Sequence, residues 1–132
     1  MIQSPLANDN AIFVFGSNLG GRHGKGNALH ARQHYGAIYG QGAGLQGQSY
    51  AIPTKDGRLK TLPLDDIAKH VTQFIKFAGM CQFKGLSLVF NVTPIGCGLV
   101  GYKPRDIAPL FKDAVKLTNV RLPPEFLGVL NA

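Results

Sequence analysis

The sequence predicts an α/β fold in which helices cover both faces of a sheet, and three observations carry that expectation. Short apolar runs rich in β-branched and aromatic residues recur at 11–15, 49–54 and 86–93, the pattern of strands buried in a sheet. Segments with helical spacing of apolar residues fall between and after them, an alternation that layers helices on a sheet. Glycine-rich loops directly follow the first and third runs, at the carboxyl ends of strands where open α/β sheets bind ligands.

Taken in order, residues 1–10 form a polar lead-in, "MIQSPLANDN". Ala11 to Phe15 is apolar throughout and ended by Gly16, as a central strand would be. "SNLGGRHGKGN" has no helical pattern, and Ala28 to Tyr35 then offers good helix formers closed by Gly36. A second glycine-rich stretch, "AIYGQGAGLQGQ", leads into a strand at Ser49 to Thr54 with Pro53 near its end. From Pro63, the residues Ile67, Val71, Phe74, Ile75 and Ala78 make one apolar stripe of an amphipathic helix. Asp65 and Asp66 suit the positive end of its dipole, and Gly79 is expected to stop it. Leu86 to Thr93 reads as a third strand running into the loop "PIGCGLVGY". Ile107, Leu110, Phe111, Ala114 and Val115 mark a further helix capped by Asp106, with Pro109 tolerated in its first turn. Asn119 to Leu122 reads as a last short strand before a tail punctuated by two prolines.

A chain of 132 residues is the size of one core, so a single domain over 1–132 is expected. Its formal charge of +7 favours an anionic partner, whether nucleic acid, a nucleotide or an acidic surface. The basic residues are scattered, with no run of five, so a dedicated nucleic-acid arm is not indicated and many lysines belong to a solvated surface. Cys81 and Cys97 have neither CxxC spacing nor a zinc-type histidine pattern, so no disulfide framework, no metal and no cofactor are expected, and a reduced, cytoplasmic setting fits. No apolar run reaches the about 18 residues of a membrane span.

Residues 13–47 hold ten of the seventeen glycines, a concentration that suits close approach of an anion, above all a phosphate, to backbone N–H donors. A mobile loop is the alternative. Familiar phosphate motifs do not fit. Gly42, Gly44 and Gly47 satisfy GxGxxG but precede a strand, where the dinucleotide motif requires a helix amino terminus. In "HGKGNAL" Leu29 replaces the third glycine, and Gly26 is followed by Asn27, which a phosphate-binding Walker loop does not allow. His30 and His34 are an i, i+4 pair lacking the glutamate of a zinc protease and read as helix surface. His23, between Arg22 and Gly24, would either contact phosphate or move a proton, or simply be exposed. Cys97 would be either a nucleophile beside glycine N–H groups or a small packing residue.

Three segments, "HGKGNALHARQHYG", "SYAIPTKDGRLKTLPLDDIAKHVTQFI" and "PIGCGLVGYKPRDIAPLF", together resemble the macrodomain superfamily. The likeness is to its branch of ADP-ribose-1″-phosphate processing and terminal ADP-ribose protein glycohydrolase proteins, in matching order over roughly residues 11–122. The resemblance implies a mixed sheet sandwiched between helices, with ADP-ribose lying across the two glycine loops. It implies that Gly24, Lys25, Gly26, Asn27 and Ala28 approach the distal ribose and diphosphate, and that Gly96, Cys97, Gly98, Leu99 and Val100 wrap the diphosphate. Asn18 would face the distal ribose, and Lys55 stands where the glycohydrolase branch has a lysine that attacks the ribose C1″ carbon; His23, by its own place in the glycine loop, is the fallback acid or base.

Two departures bear on chemistry. Val100 replaces the acidic residue that follows the I-G-C-G-L segment in that branch, and the aspartate that meets the adenine amino group there has no clear match, Asp9 being a candidate by position alone. The expectation is therefore a macrodomain-like protein that binds ADP-ribose or an ADP-ribosylated macromolecule and hydrolyses ADP-ribosyl adducts if Lys55 is active. The alternative is a non-catalytic nucleotide or nucleic-acid binding module.

Overall fold

The structure, a computed structural model, describes residues 10–132; the lead-in, including Asp9, lies outside the described residues apart from Asn10. Its strands are β1 (Ile12–Asn18), β2 (Gly44–Gln46), β3 (Ser49–Lys55), β4 (Phe90–Val92) and β5 (Val120–Arg121). They form one mixed sheet in the order β2-β3-β1-β4-β5. β1 pairs in parallel with β3 and β4, β4 in parallel with β5, and β2 runs antiparallel to β3. The helices are α1 (Gly26–His34), α2 (Leu64–Phe83), α3 (Pro104–Ile107) and α4 (Pro124–Leu130), with a 3₁₀ segment over Ala108–Ala114.

Side chains alternate across a strand, and β1 divides the core accordingly. Ile12 and Val14 join Tyr50, Ile52, Ile67, Val71, Phe74 and Phe111 on one face. Phe13 and Phe15 join Ala28, Ala31, Ala37 and Ala51 on the other. The larger cluster is covered by α2, the 3₁₀ segment and α4, and the smaller by α1, so helices lie on both sides of the sheet as the alternating pattern predicts. No helix among the described residues is long and apolar enough to cross a membrane.

The structure corrects several element boundaries, each for a physical reason. α2 passes through Gly79, which keeps ordinary helical backbone, and turns at Gly85, whose φ of 71° is the left-handed conformation a helix stop uses. Tertiary bonds hold its last turns: Asn119 Nδ2 donates to the Ala78 carbonyl at 2.9 Å, and Gln82 Oε1 accepts from the Thr118 N–H at 2.8 Å. The run 86–93 contributes only three residues of strand. Asp106 is not the cap of the third helix but its third residue, accepting the Lys103 N–H at 3.0 Å. The tail after Pro123 is a helix, with Pro124 in the first position where a missing N–H costs nothing. Pro53 lies within β3 at a point beyond the short β2, so its lack of an N–H breaks no ladder on that side.

Candidate functional site

The carboxyl ends of β1, β3 and β4 open onto a cavity of about 780 Å³. It is bordered by three stretches: Gly16–Asn18 with Arg22 and 24–28, Thr54–Lys55 with Leu59, and the loop 93–100. Asn18, Gly24, Lys25, Gly26, Asn27, Lys55, Gly96, Gly98, Leu99 and Val100 all border it, so residues read from three separate motifs meet at one place. Parallel register explains how. Asn18 pairs with Lys55 across β1 and β3 after a shift between Ser17 and Asn18, and Thr93 donates both its N–H (3.1 Å) and its hydroxyl (2.8 Å) to the Val14 carbonyl.

Backbone donors dominate the walls. The first hydrogen-bonded amide at the start of α1 is that of Leu29, donating to the Lys25 carbonyl, so the N–H groups of Gly26, Asn27 and Ala28 have no intrahelical acceptor. Lys25 occupies the N-cap without a side-chain bond, and no acid lies in the first turn. A cation there is the reverse of what a helix dipole favours, which leaves this end suited to an anion supplied from outside. Across the cavity the N–H groups of Gly98, Leu99 and Val100 also have no hydrogen-bond acceptor among the described residues. That loop is held in shape by Tyr102 N–H to the Gly96 carbonyl (3.0 Å) and by Tyr102 hydroxyl to the Leu62 carbonyl (2.8 Å). Arg22, Lys25 and Lys55 add positive charge, and no acidic residue among the described ones borders the space.

Asn18 has a double role. Its Oδ1 accepts the Arg22 N–H at 3.0 Å, which fixes the orientation of the amide and leaves Nδ2 as a donor at the cavity wall. Lys55 closes β3, and its side-chain amine has no hydrogen-bond or ion-pair partner among the described residues.

Two sequence candidates lie elsewhere. His23 is fully buried behind the first loop, edge-on to Phe15, and does not border the cavity. Its Nε2 meets the Gln41 carbonyl at 3.0 Å and Gln46 Oε1 at 3.2 Å, both acceptors, since Gln46 Oε1 also takes the Ile38 N–H at 2.7 Å. Nε2 therefore carries the proton. Cys97 does not border the cavity and packs against the larger core cluster, its thiol donating to the Ile95 carbonyl at 3.5 Å. Burial raises the pKa of that thiol, helped by the nearby Glu125 and Asp106 carboxylates, which disfavours the nucleophilic thiolate.

The second glycine stretch does not touch the cavity. It buttresses the first loop from behind: Ser17 Oγ donates to the Gly42 carbonyl, and the Gly40 N–H donates to the Gly21 carbonyl at 2.8 Å. The buried Gln46 ties this stretch to His23, its Nε2 donating to the carbonyls of Gln41 and Gly44 at 3.2 and 3.3 Å. Gln41 and Gln46 were not found from sequence, because a glutamine in a glycine-rich segment carries no periodic or motif signal.

A turn at 56–60 completes the rim. The Asp56 carboxylate accepts the N–H groups of Arg58 (2.8 Å) and Lys60 (2.9 Å), and these bonds, that of Lys60 first, lower its pKa. A lowered folded-state pKa means that the bonds stabilise the turn above the ordinary aspartate value of about 3.9, an effect lost as pH falls through the folded value. In an NMR titration the Arg58 and Lys60 amide protons are expected to shift together with a midpoint below about 3.9. Asp56→Asn should abolish that shift, and a midpoint at or above the ordinary value would refute the assignment.

No family model, curated protein or solved structure matches this chain.

Proposed function

We propose that the cavity binds ADP-ribose or a closely related nucleotide end, in a protein of macrodomain-like type. The observation that carries this reading is the pair of acceptor-free N–H sets, one at the start of α1 and one at Gly98–Val100, bordering a single space that among the described residues has three cations and no acid. Such backbone arrays bind phosphate oxygens well, and two of them at one cavity suit a diphosphate. The Asn18 amide beside them suits a sugar hydroxyl.

Hydrolysis is the extension of this proposal. The Lys55 amine would attack ribose C1″, the bond to the substituent would break with the departing group taking a proton, and ring opening would give a Schiff base that water hydrolyses. The substrate is then an ADP-ribosylated macromolecule in the cytoplasm, a setting in keeping with the free thiols of Cys81 and Cys97. His23 takes no part in this scheme, being buried outside the cavity.

A second reading is favoured by Val100, which borders the cavity where a catalytic acid would be expected. In it the protein is a non-catalytic module that holds one terminal nucleotide while its basic surface engages nucleic acid.

Calorimetric titration with ADP-ribose, AMP and NAD at two salt concentrations tests the ligand. Selective binding of ADP-ribose with a shallow salt dependence is expected, and a steep salt slope would instead indicate several phosphate contacts along a nucleic acid. Absence of binding to all three would sink the assignment. Lys55→Ala is expected to bind ADP-ribose within about fivefold of the parent, since one partly solvent-accessible charge contributes under about 1 kcal/mol. The same change should lower turnover of an ADP-ribosylated protein by at least about 10³-fold, as loss of a covalent nucleophile does. Parent protein that binds but never releases ADP-ribose from any adduct would select the non-catalytic module.

A further inference from the structure

Two large apolar side chains stand exposed at the edge of a cavity whose walls are otherwise mainly glycine, polar or cationic. Leu59 is 45% exposed and Leu99 is 77% exposed, and among the described residues they are the exposed large hydrophobics that border this space. Neither serves the core. The turns that carry them are joined, Thr61 Oγ1 donating to the Val100 carbonyl at 3.4 Å.

Leu59 is held there against its backbone preference. Its φ of 65° lies in the left-handed region, which glycine or asparagine occupies readily and a bulky residue does not. The Asp56 carboxylate pins the turn on both sides of it through Arg58 and Lys60, so the leucine is presented at a strained position on a braced turn. Strain of this kind persists where the surroundings over-determine it, commonly at ligand clamps.

We infer that Leu59 and Leu99 form an apolar clamp for the planar, uncharged ring of the nucleotide whose phosphates the acceptor-free N–H groups hold. The inference rests on the nucleotide reading above and adds to it the recognition of the base. Charge complementarity assigns the ligand's parts: phosphates go to the N–H arrays and to Arg22, Lys25 and Lys55, sugar hydroxyls to polar groups such as Asn18, and the base alone is left to cover the leucines. Binding then removes apolar surface of both leucines and both faces of the ring from water.

The test compares AMP with ribose 5-phosphate, the same phosphate and sugar without the base, by NMR-detected titration of the parent, Leu59→Gly, Leu99→Ser and the double variant. The parent is expected to bind AMP at least about tenfold more tightly, the effect of burying one large apolar group. Intermolecular NOEs should link base protons to the methyl groups of both leucines. Each single variant should weaken AMP about fivefold and ribose 5-phosphate by no more than about twofold, since the substitution at Leu99 keeps the N–H that belongs to the phosphate array, and the double variant should bring the two ligands within about twofold. Leu59→Gly relieves the left-handed strain, so its melting temperature should not fall, which separates lost contact from lost structure. Equal parent affinities for the two ligands, or variants that weaken both alike, would overturn the clamp while leaving the phosphate site standing. Binding of neither ligand by protein that still binds ADP-ribose would overturn the clamp alone, and loss of ADP-ribose binding as well would overturn the nucleotide reading with it.

Discussion

Gly21→Ala is expected to destabilise the protein by about 3 kcal/mol or more, the range reached when backbone strain and a steric clash coincide. Gly21 has φ 69°, and an added Cβ would stand 2.8 Å from the Gln41 carbonyl carbon and closer still to the Gln41 nitrogen. These are backbone atoms, which no side-chain rotation can clear. Gly26→Ala supplies the control: it also has positive φ (56°), but nothing lies within 4 Å of the added carbon, so only the conformational cost of about 1–2 kcal/mol applies. In urea denaturation the first variant should lose at least about twice the stability of the second, and equal losses would show that the packing of the two glycine stretches is not what holds the loop. Because Gly21 N–H also donates to the Asn18 carbonyl at 2.9 Å, Gly21→Ala should disturb the Asn18 amide and weaken ligand binding as well.

Phe74→Ala should cost about 3–5 kcal/mol, the usual penalty for emptying an aromatic site in a packed core. Phe74 is fully buried on α2 and meets Tyr50, Phe90 and Phe111 edge-on, with centroids 5.1, 5.5 and 6.3 Å away. It thus joins strands from both sides of β1 to the 3₁₀ segment. Phe83→Ala, nine residues along the same helix but 90% exposed, should change stability by no more than about 0.5 kcal/mol. Guanidinium unfolding of the pair checks this directly, and comparable losses would mean that α2 does not pack as described.

The contrast between those two phenylalanines marks how far the sequence is legible. Phe74 falls on the stripe with Ile67, Val71 and Ala78, and a helix that buries one face must bury that stripe, as all four are buried here. Phe83 belongs to the last turn of α2, whose existence depends on Gln82 and Asn119 bonds that join residues 36 and 41 positions apart. No local pattern encodes them. The same distinction explains why Gly79 misled and Gly85 did not register: a glycine is permissive everywhere, and only its actual φ decides whether it ends a helix.

At the site, the loops Gly24–Ala28 and Gly96–Val100 were legible because each directly follows a strand run and both strands turned out to be parallel neighbours of one sheet. Asn18 and Lys55 were legible as positions, and β1–β3 register brings them side by side. His23 was not. Its neighbours Arg22 and Gly24 are exposed, and only the fold of the second glycine stretch over its ring, with the Gln41 carbonyl and Gln46 Oε1 accepting its Nε2–H, turns it into a buried support.

The sequence by itself determined what periodicity and local chemistry can encode: the α/β class, the apolar strand runs, the buried stripe of α2 and the glycine loops at strand ends. Tertiary structure decided which loops share a cavity, which glycines merely pack against one another, and where helices stop. Those outcomes depend on contacts between residues far apart in the chain, such as Gly21 with Gln41 or Ala78 with Asn119, whose energies no local pattern records.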